Sequence, residues 1–474
     1  MCRGPGCEAE YPAGRLALLR GEELVPGAEL GAVSDASAVW QGVIDGGADW
    51  VVDALPAYTE GDVDPIVQPG RIVIGQPEAD AVVMVADSDT FDELTPLLRW
   101  SQADTQFGTD IAVAPRQDDP SRFDLVVGAP GWSLGRGAVY LFLDAGEQAT
   151  TDTSFPNITI EGSTVEDRLG SVVRLCSDLT GDGFPEILVT APWFLEPDSW
   201  PIDVGNDPID PLAGAVFLLE SEAVRSHDAD TALPWELGRV WWGDQMGANA
   251  GHDARCDADL TGDGVSDLII GAPFHADDER GRVYILSGGE LPDSGPLKRA
   301  AWHFLKSPTL DAWFGMAVAP IDADGEPPMD LAVGAPGWPD GRGRVLVYAG
   351  ADIQAEIRQG TSAKPLVTFV TDSFNPVHFG RELDVGDVDG DLRDDLMIGA
   401  PDWLEGRNGY DTGRAWIWFG NGRDRWSGNL SDTDADVTLL GADPFDRVGG
   451  SLKLRDVDAD GLDDALLPTR TAIE

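Results

Sequence analysis

Residues Asp259–Gly288 read DLTGDGVSDLIIGAPFHADDERGRVYILSG. An acidic loop opens the stretch, an apolar run follows and closes on Gly271-Ala272-Pro273, and a second apolar run begins after Gly281-Arg282. Short β-rich runs bounded by Gly, Pro and Asp are strand signals, whereas helical periodicity is scarce along the chain. The same order of parts lines up with six other segments. A chain of 474 residues would otherwise suggest about three ordinary domains, but a fixed internal period makes residues 1–474 one body built by repetition.

Each copy opens on an apolar residue followed by Gly: Leu30-Gly31, Phe107-Gly108, Leu169-Gly170, Met246-Gly247, Phe314-Gly315, Phe379-Gly380 and Val448-Gly449. Successive openings lie 62 to 77 residues apart, too long for a helical solenoid and suited to a four-stranded blade with generous loops. The second strand of each copy finishes in Gly-Ala-Pro, intact at Gly128, Gly271, Gly334 and Gly399. Thr190-Ala191-Pro192 is close to it, while Ala54-Leu55-Pro56 and Leu466-Leu467-Pro468 are worn versions. Small residues there let neighbouring sheets approach, and Pro stops the strand. The last copy lacks a third strand after Pro468, yet Gly14–Gly21 (GRLALLRG) imitates GRVYILSG. Residues 11–21 are therefore expected to complete the final blade and so close a ring without open edges.

The acid excess sets limits on partners. With 84 Asp and Glu against 32 Lys and Arg, the formal charge is -52. Phosphate binding needs clustered basic residues, so nucleic acid is not an expected partner, and an anionic membrane surface is disfavoured alike. Surface solvation in a salty habitat, or a GC-rich coding bias, accounts equally well for acids outside the loops described below. No run of about 18 apolar residues offers a membrane span, and no apolar signal region follows Met1. The opening CRGPGCEAE reads either as a disordered terminus or as the start of a mature chain, with Cys2 as a candidate lipid anchor. Cys176 and Cys256 precede the acidic loops of neighbouring copies and are candidates to pair, a bond that sequence alone does not decide.

Five copies carry an acidic nonapeptide between their first and second strands: DLTGDGFPE from Asp178, DLTGDGVSD from Asp259, DADGEPPMD from Asp322, DVDGDLRDD from Asp387 and DVDADGLDD from Asp456. Oxygen-bearing side chains recur at positions one, three, five and nine. These are Asp178, Thr180, Asp182 and Glu186; Asp259, Thr261, Asp263 and Asp267; Asp322, Asp324, Glu326 and Asp330; Asp387, Asp389, Asp391 and Asp395; and Asp456, Asp458, Asp460 and Asp464. Position seven adds a backbone carbonyl, from Phe184, Val265, Arg393 or Leu462. A hard cation such as Ca²⁺ takes six to eight oxygens in a flexible cage, which this spacing supplies. An EF-hand is excluded, because its twelfth-position Glu is here Val189, Ile270, Val333, Ile398 or Leu467. A single loop of this kind is equally an Asp-rich turn; five in register point to about five calcium sites. The Asp322 copy departs most, with Pro327 and Pro328 near its turn. The first two copies have lost the pattern: Arg116 and Pro120 replace acids, and only Asp124 remains at position nine.

The Phe-Gly start, the DxDxDG-type loop and the Gly-Ala-Pro finish resemble the FG-GAP repeats of the integrin alpha-subunit propeller and its bacterial relatives. The resemblance covers nearly the whole chain, is strongest in the fourth and sixth copies and weakest in the first. It implies a seven-bladed β-propeller with Ca²⁺ in loops on one face and ligand recognition on the other. No Arg-Gly-Asp tripeptide and no other integrin domain is present, so the partner stays undefined. FG-GAP-like blades accompany some lipases and polysaccharide lyases, usually as the accessory part.

Aromatic residues follow most Gly-Ala-Pro units: Trp132, Trp193, Phe274, Trp338 and Trp403. They are candidate anchors for a protein or a sugar on the face opposite the acidic loops, and wedges between blades on the plainer reading. Long inserts at residues 195–212 and 405–412 are further places for recognition. Catalysis lacks a signature: the five His are scattered, no Ser or Cys nucleophile motif occurs, and acid pairs are too common to inform. The expected function is a non-enzymatic, calcium-stabilised recognition propeller, secreted or at the cell surface, that binds a protein or matrix partner. A lectin-like propeller using the aromatic face is the alternative, and a metal-assisted hydrolase ranks behind both.

Overall fold

A computed structural model describes residues 14–31, 38–41, 51–55, 58–60, 66–68, 71–77, 80–86, 98–101, 105–116, 121–146, 156–195, 211–275, 279–307, 309–359, 363–405, 410–420, 426–441 and 446–470. Cys2, residues 196–210 and residues 406–409 lie outside this set.

The runs that close on Gly-Ala-Pro are strands with both faces covered: every residue of Asp267–Ala272, Asp330–Ala335 and Asp395–Ala400 is buried. Such a strand needs a packed sheet on each side, and a ring of sheets provides it. The first sheet runs Val51–Leu55, Arg71–Gln76, Ala81–Ala86, Leu98–Ser101, and the second Ile111–Pro115, Arg122–Ala129, Ala138–Gly146, Ile158–Glu161. The third contains Val173–Leu175, Ile187–Ala191, Ala215–Leu219, Gly238–Trp242, and the fourth Ala254–Ala258, Asp267–Ala272, Arg282–Leu286, His303–Lys306. Val318–Ile321, Asp330–Ala335, Arg344–Tyr348 and Val367–Val370 form the fifth, then Leu383–Gly386, Asp395–Ala400, Arg414–Trp418 and Val437–Leu440 the sixth. The seventh is shared between the two ends of the chain: Lys453–Arg455 and Asp464–Arg470 pair on with Gly14–Leu19 and Ala38–Gln41. Each innermost strand touches the next, and Lys453–Arg455 touches Val51–Leu55. The chain is an all-β, seven-bladed propeller closed by its N-terminal strand, with Leu18 opposite Leu466.

Seven apolar clusters, among the described residues, fill the seams rather than one centre. The seam between blades seven and one, for example, joins Leu16, Leu18 and Leu466 to Val52, Ile72 and Ile74. Near the axis, carboxylates staple consecutive inner strands: Asp53, Asp110, Asp253 and Asp384 accept the amides of Val113, Val173, Val318 and Leu454 in the following blade. A disulfide between Cys176 and Cys256 joins the third blade to the fourth. Outer edges are covered too. Segments leading into the last strand of one blade pair in parallel with the outer strand of the blade before, as Gly428–Ser431 does with Val367–Val370, which blunts an exposed edge.

Five boundaries differ from the sequence reading. Leu30-Gly31 opens no blade: Ala28–Gly31 lies parallel to Val437–Leu440 on the sixth, and Ala54-Leu55 belongs to a first strand. The finish of blade one is Gly75-Gln76-Pro77, because Gly75 faces Gly108 as Gly128 faces Gly170. The fourth copy opens at Ala250-Gly251, not Met246-Gly247; the Gly251 amide donates to Gly271 O as Gly315 does to Gly334 O, and Met246 is 66% exposed. Sequence favoured Met246 because a large apolar residue stood before a Gly, whereas the seam there takes a small one. In the last copy, Pro468 rather than Leu466 stands opposite Leu16, in the register Gly271 holds opposite Val283. The N-terminal contribution extends to Gln41, past residue 21.

The glycines of the opening and the finish meet across the seam. A Cβ on Gly334 would lie 2.1 Å from the carbonyl oxygen of Gly380, so no larger residue lets these backbones approach. Gly334→Val is expected to cost about 1–3 kcal/mol through overpacking, read as an earlier urea midpoint. An unchanged midpoint would show that the seam tolerates a side chain there.

Candidate metal centres

In blades three to seven the acidic nonapeptide is the turn between the two inner strands, so all five loops fall on the same rim of the ring. The position-one carboxylate winds the turn around itself. Asp259 Oδ1 accepts the amides of Gly262 at 2.6 Å and Asp263 at 3.2 Å, and Oδ2 accepts that of Gly264 at 2.8 Å. Asp178 repeats this with Gly181, Asp182 and Gly183. Asp387 holds Gly390 and Leu392, Asp322 holds Gly325, and Asp456 holds Asp460 and Gly461. The turn needs left-handed backbone at position four, which Gly262 adopts at φ 74 without a steric cost. Position five then accepts the amide of position seven: Asp182 from Phe184, Asp263 from Val265, Asp391 from Arg393, Asp460 from Leu462. In the fifth blade Glu326 instead donates its amide to Asp324.

Position nine is the buried anchor. Asp267 Oδ2 accepts the amides of Leu260 (2.7 Å) and Thr261 (2.8 Å), while Oδ1 accepts that of Gly288 (3.0 Å) at the end of the third strand. Asp330 does the same with Ala323 and Gly350, Asp395 with Val388 and Gly420, and Asp464 with Val457 and Gly21. The longer Glu186 reaches Leu179 N and the Thr180 hydroxyl.

These constraints gather carboxylates. Oxygens of Asp178, Asp182 and Glu186 lie within 4.8 Å of one another, as do those of Asp259, Asp263 and Asp267, of Asp322, Asp324 and Asp330, of Asp387, Asp389 and Asp395, and of Asp456, Asp458 and Asp460. Burial pushes Asp330 and Asp395 up to about 7, and the Asp324 and Asp389 charges add to it. Asp464 rises to about 6 through burial, and Glu186 and Asp267 also rise. Carboxylates that resist ionisation together are stabilised by an added positive charge. Asp182 Oδ2 is buried without a hydrogen-bond partner. An all-oxygen donor set, an orphaned carboxylate oxygen and mutual repulsion together fit a hard divalent cation.

Two participants escaped the sequence reading. Asp394 Oδ2 accepts the amide of Asp322 in the preceding loop at 2.7 Å, and Asp463 Oδ2 accepts that of Asp387 at 2.8 Å. Position eight therefore ties one loop to its neighbour. The doubled Asp ending DVDGDLRDD and DVDADGLDD was the available signal.

The aromatic residues do not stand as a free ring. Trp132, Trp338 and Trp403 pack against seam clusters. Guanidinium groups cover three faces: Arg168 over Trp193 at 4.2 Å, Arg344 over Trp338 at 4.8 Å and Arg414 over Trp403 at 4.5 Å. Phe274 lies edge-on to Trp313, with centroids 6.0 Å apart. Of the five, Trp193 is the one counted among the exposed large apolar residues, at 37%.

An FG-GAP repeat family model matches residues 258–286 and 379–418, the fourth and sixth blades up to their third strands. Human integrin alpha-IIb is 36% identical over 200 residues, covering 40% of this chain and 17% of that protein. Drosophila melanogaster integrin alpha-PS2 is 32% identical over 186 residues, 35% of this chain and 12% of that protein. Rat phosphatidylinositol-glycan-specific phospholipase D is 33% identical over 207 residues, 41% of this chain and 23% of that protein. The chain thus spans less than a quarter of the length of these relatives. The solved Dos1 propeller aligns over 97% of this chain and 93% of its own, with a TM-score of 0.44 and 7% identity.

Asp395→Ala is expected to orphan the buried amides of Val388 and Gly420, at about 1–3 kcal/mol each, whereas Asp391→Ala on the exposed rim changes stability by within about 0.5 kcal/mol. Urea denaturation in EDTA measures both; equal effects would remove the distinction between anchor and rim.

Proposed function

From a chain that carries FG-GAP repeats, we propose a calcium-stabilised, exported recognition propeller whose partner is a protein or matrix component. The observation that carries the proposal is the register of the acidic loops: five turns on one rim, each gathering three carboxylates within 4.8 Å. The metal's role would be structural. In the fourth blade Asp259, Asp263 and Asp267 would hold it, with Thr261 and the Val265 carbonyl beside them, and the loops of blades three, five and six would follow suit. An ion there supplies the positive charge that lets rim and anchor carboxylates stay ionised together. Export is supported by the Cys176–Cys256 disulfide, a bond that persists in oxidising compartments. Among the described residues no helix is long and apolar enough to cross a membrane.

A second reading, glycan binding, is favoured by one cleft on the rim opposite the acidic loops. Trp313 and His378 stack there with centroids 5.6 Å apart and planes 9° apart, beside Asp311, Asp340 and Pro376. Aromatic faces next to carboxylates suit a sugar ring. A glycan array separates the two readings: discrete glycan hits abolished by Trp313→Ala favour the second, and a blank array leaves the protein partner.

Calcium removal tests the metal directly. Binding to the native state alone adds about 2.7 kcal/mol per site at a free ion level 100 times Kd, so EDTA is expected to lower Tm by many degrees. A melt indifferent to EDTA would reduce the loops to acidic turns. The double substitution Asp387→Ala with Asp391→Ala is expected to remove one ion while the Asp259 loop keeps its own, counted by calorimetric titration.

A further inference from the structure

The seventh loop has its full set of acids, yet a cation of the protein's own already sits in it. Arg20 follows the closing strand Gly14–Leu19, and its Nη1 lies 3.0 Å from Asp464 Oδ2 and 3.3 Å from Asp458 Oδ2, with the side chain 13% exposed. The register explains the placement. The glycine that donates to the position-nine carboxylate is Gly288, Gly350, Gly420 or Gly21 in blades four to seven. The residue before it is Ser287, Ala349, Phe419 or Arg20. Ser287 reaches its loop with a hydroxyl on Asp263 Oδ2 at 2.9 Å; Arg20 brings a guanidinium to the corresponding place. The grouping of the acids differs accordingly. Position nine belongs to the converging trio in blades three to six, but in blade seven the trio is Asp456, Asp458 and Asp460, without Asp464.

The two blades that follow around the ring also place an arginine at this spot. In blade two, Asp124 Oδ2 at position nine takes Arg225 Nη2 at 2.7 Å from the third blade. In blade one, position nine is itself an arginine: Arg71 stands four residues before Gly75, as Asp267 does before Gly271, and is 1% exposed.

We propose that arginine replaces the metal in blades seven, one and two, so that divalent ions occupy only the contiguous arc of blades three to six. In blades seven and two a guanidinium already satisfies the anchor carboxylate with charge and directed N–H donors, and in blade one the arginine stands in the place of that carboxylate. A dication a few ångströms away would face its repulsion and have to displace it. The joint between the two ends of the chain is thereby held without an ion.

The proposal rests on the calcium reading of the loops, and ion counting separates the two. Native mass spectrometry of the full chain at saturating calcium is expected to find four ions, three in Asp322→Asn, three in Asp387→Asn and five in Arg20→Ser. Five ions in the unaltered chain, or an undiminished count in Asp322→Asn, overturns the arginine proposal and leaves the calcium reading standing. A chain that takes up no calcium overturns both. Should Arg20→Ser fail to fold, the unaltered chain and the two Asn variants decide the matter by themselves.

Discussion

The buried carboxylate at position nine is the fixture on which each loop-bearing blade depends. In blades four to seven it takes amides from the turn and from the end of the third strand while sitting at the head of the second. One side chain thus joins three strands where the sheet would otherwise splay. Its cost is electrostatic: burial and neighbouring acids push Asp330 and Asp395 up to about 7. A positive charge facing it relieves that cost. The ring offers two candidates: acidic rims that fit a divalent cation, and arginines from adjoining strands or blades.

The ring itself depends on close approach rather than on a common core. Seven seam clusters, among the described residues, hold the apolar area, and backbone meets backbone where the glycine of one blade's finish faces the glycine of the next blade's opening. The physical content of the two sequence marks lies in this pairing, since each permits the other's contact. The Cys176–Cys256 bond and the carboxylate staples of Asp53, Asp110, Asp253 and Asp384 add polar and covalent ties between consecutive blades. Loop-to-loop bonds from Asp394 and Asp463 extend those ties to the acidic rim.

The charge of -52 thereby acquires a partial spatial account. Eighteen acids occupy positions one, three, five and nine of the five nonapeptides, and others serve as staples at the axis or bridges on the rim. Acidity spread evenly over a surface would only solvate it. Here the acids gather in threes on one rim, which a diffuse excess does not bring about.

Sequence alone determined the number of blades, the acidic turn between inner strands and the borrowed strand that closes the ring. Each rests on local chemistry: β-rich runs between turn residues, Asp at alternate positions, and GRLALLRG matching GRVYILSG. Tertiary structure decided what depended on partners distant in the chain. Ala250 rather than Met246 opens the fourth blade because the seam, not hydrophobicity, selects the residue before the glycine. Gly75 finishes the first because it faces Gly108. Arg20 reaches Asp464 across 444 positions of sequence, a contact no local pattern announces, since only ring closure brings the two ends together.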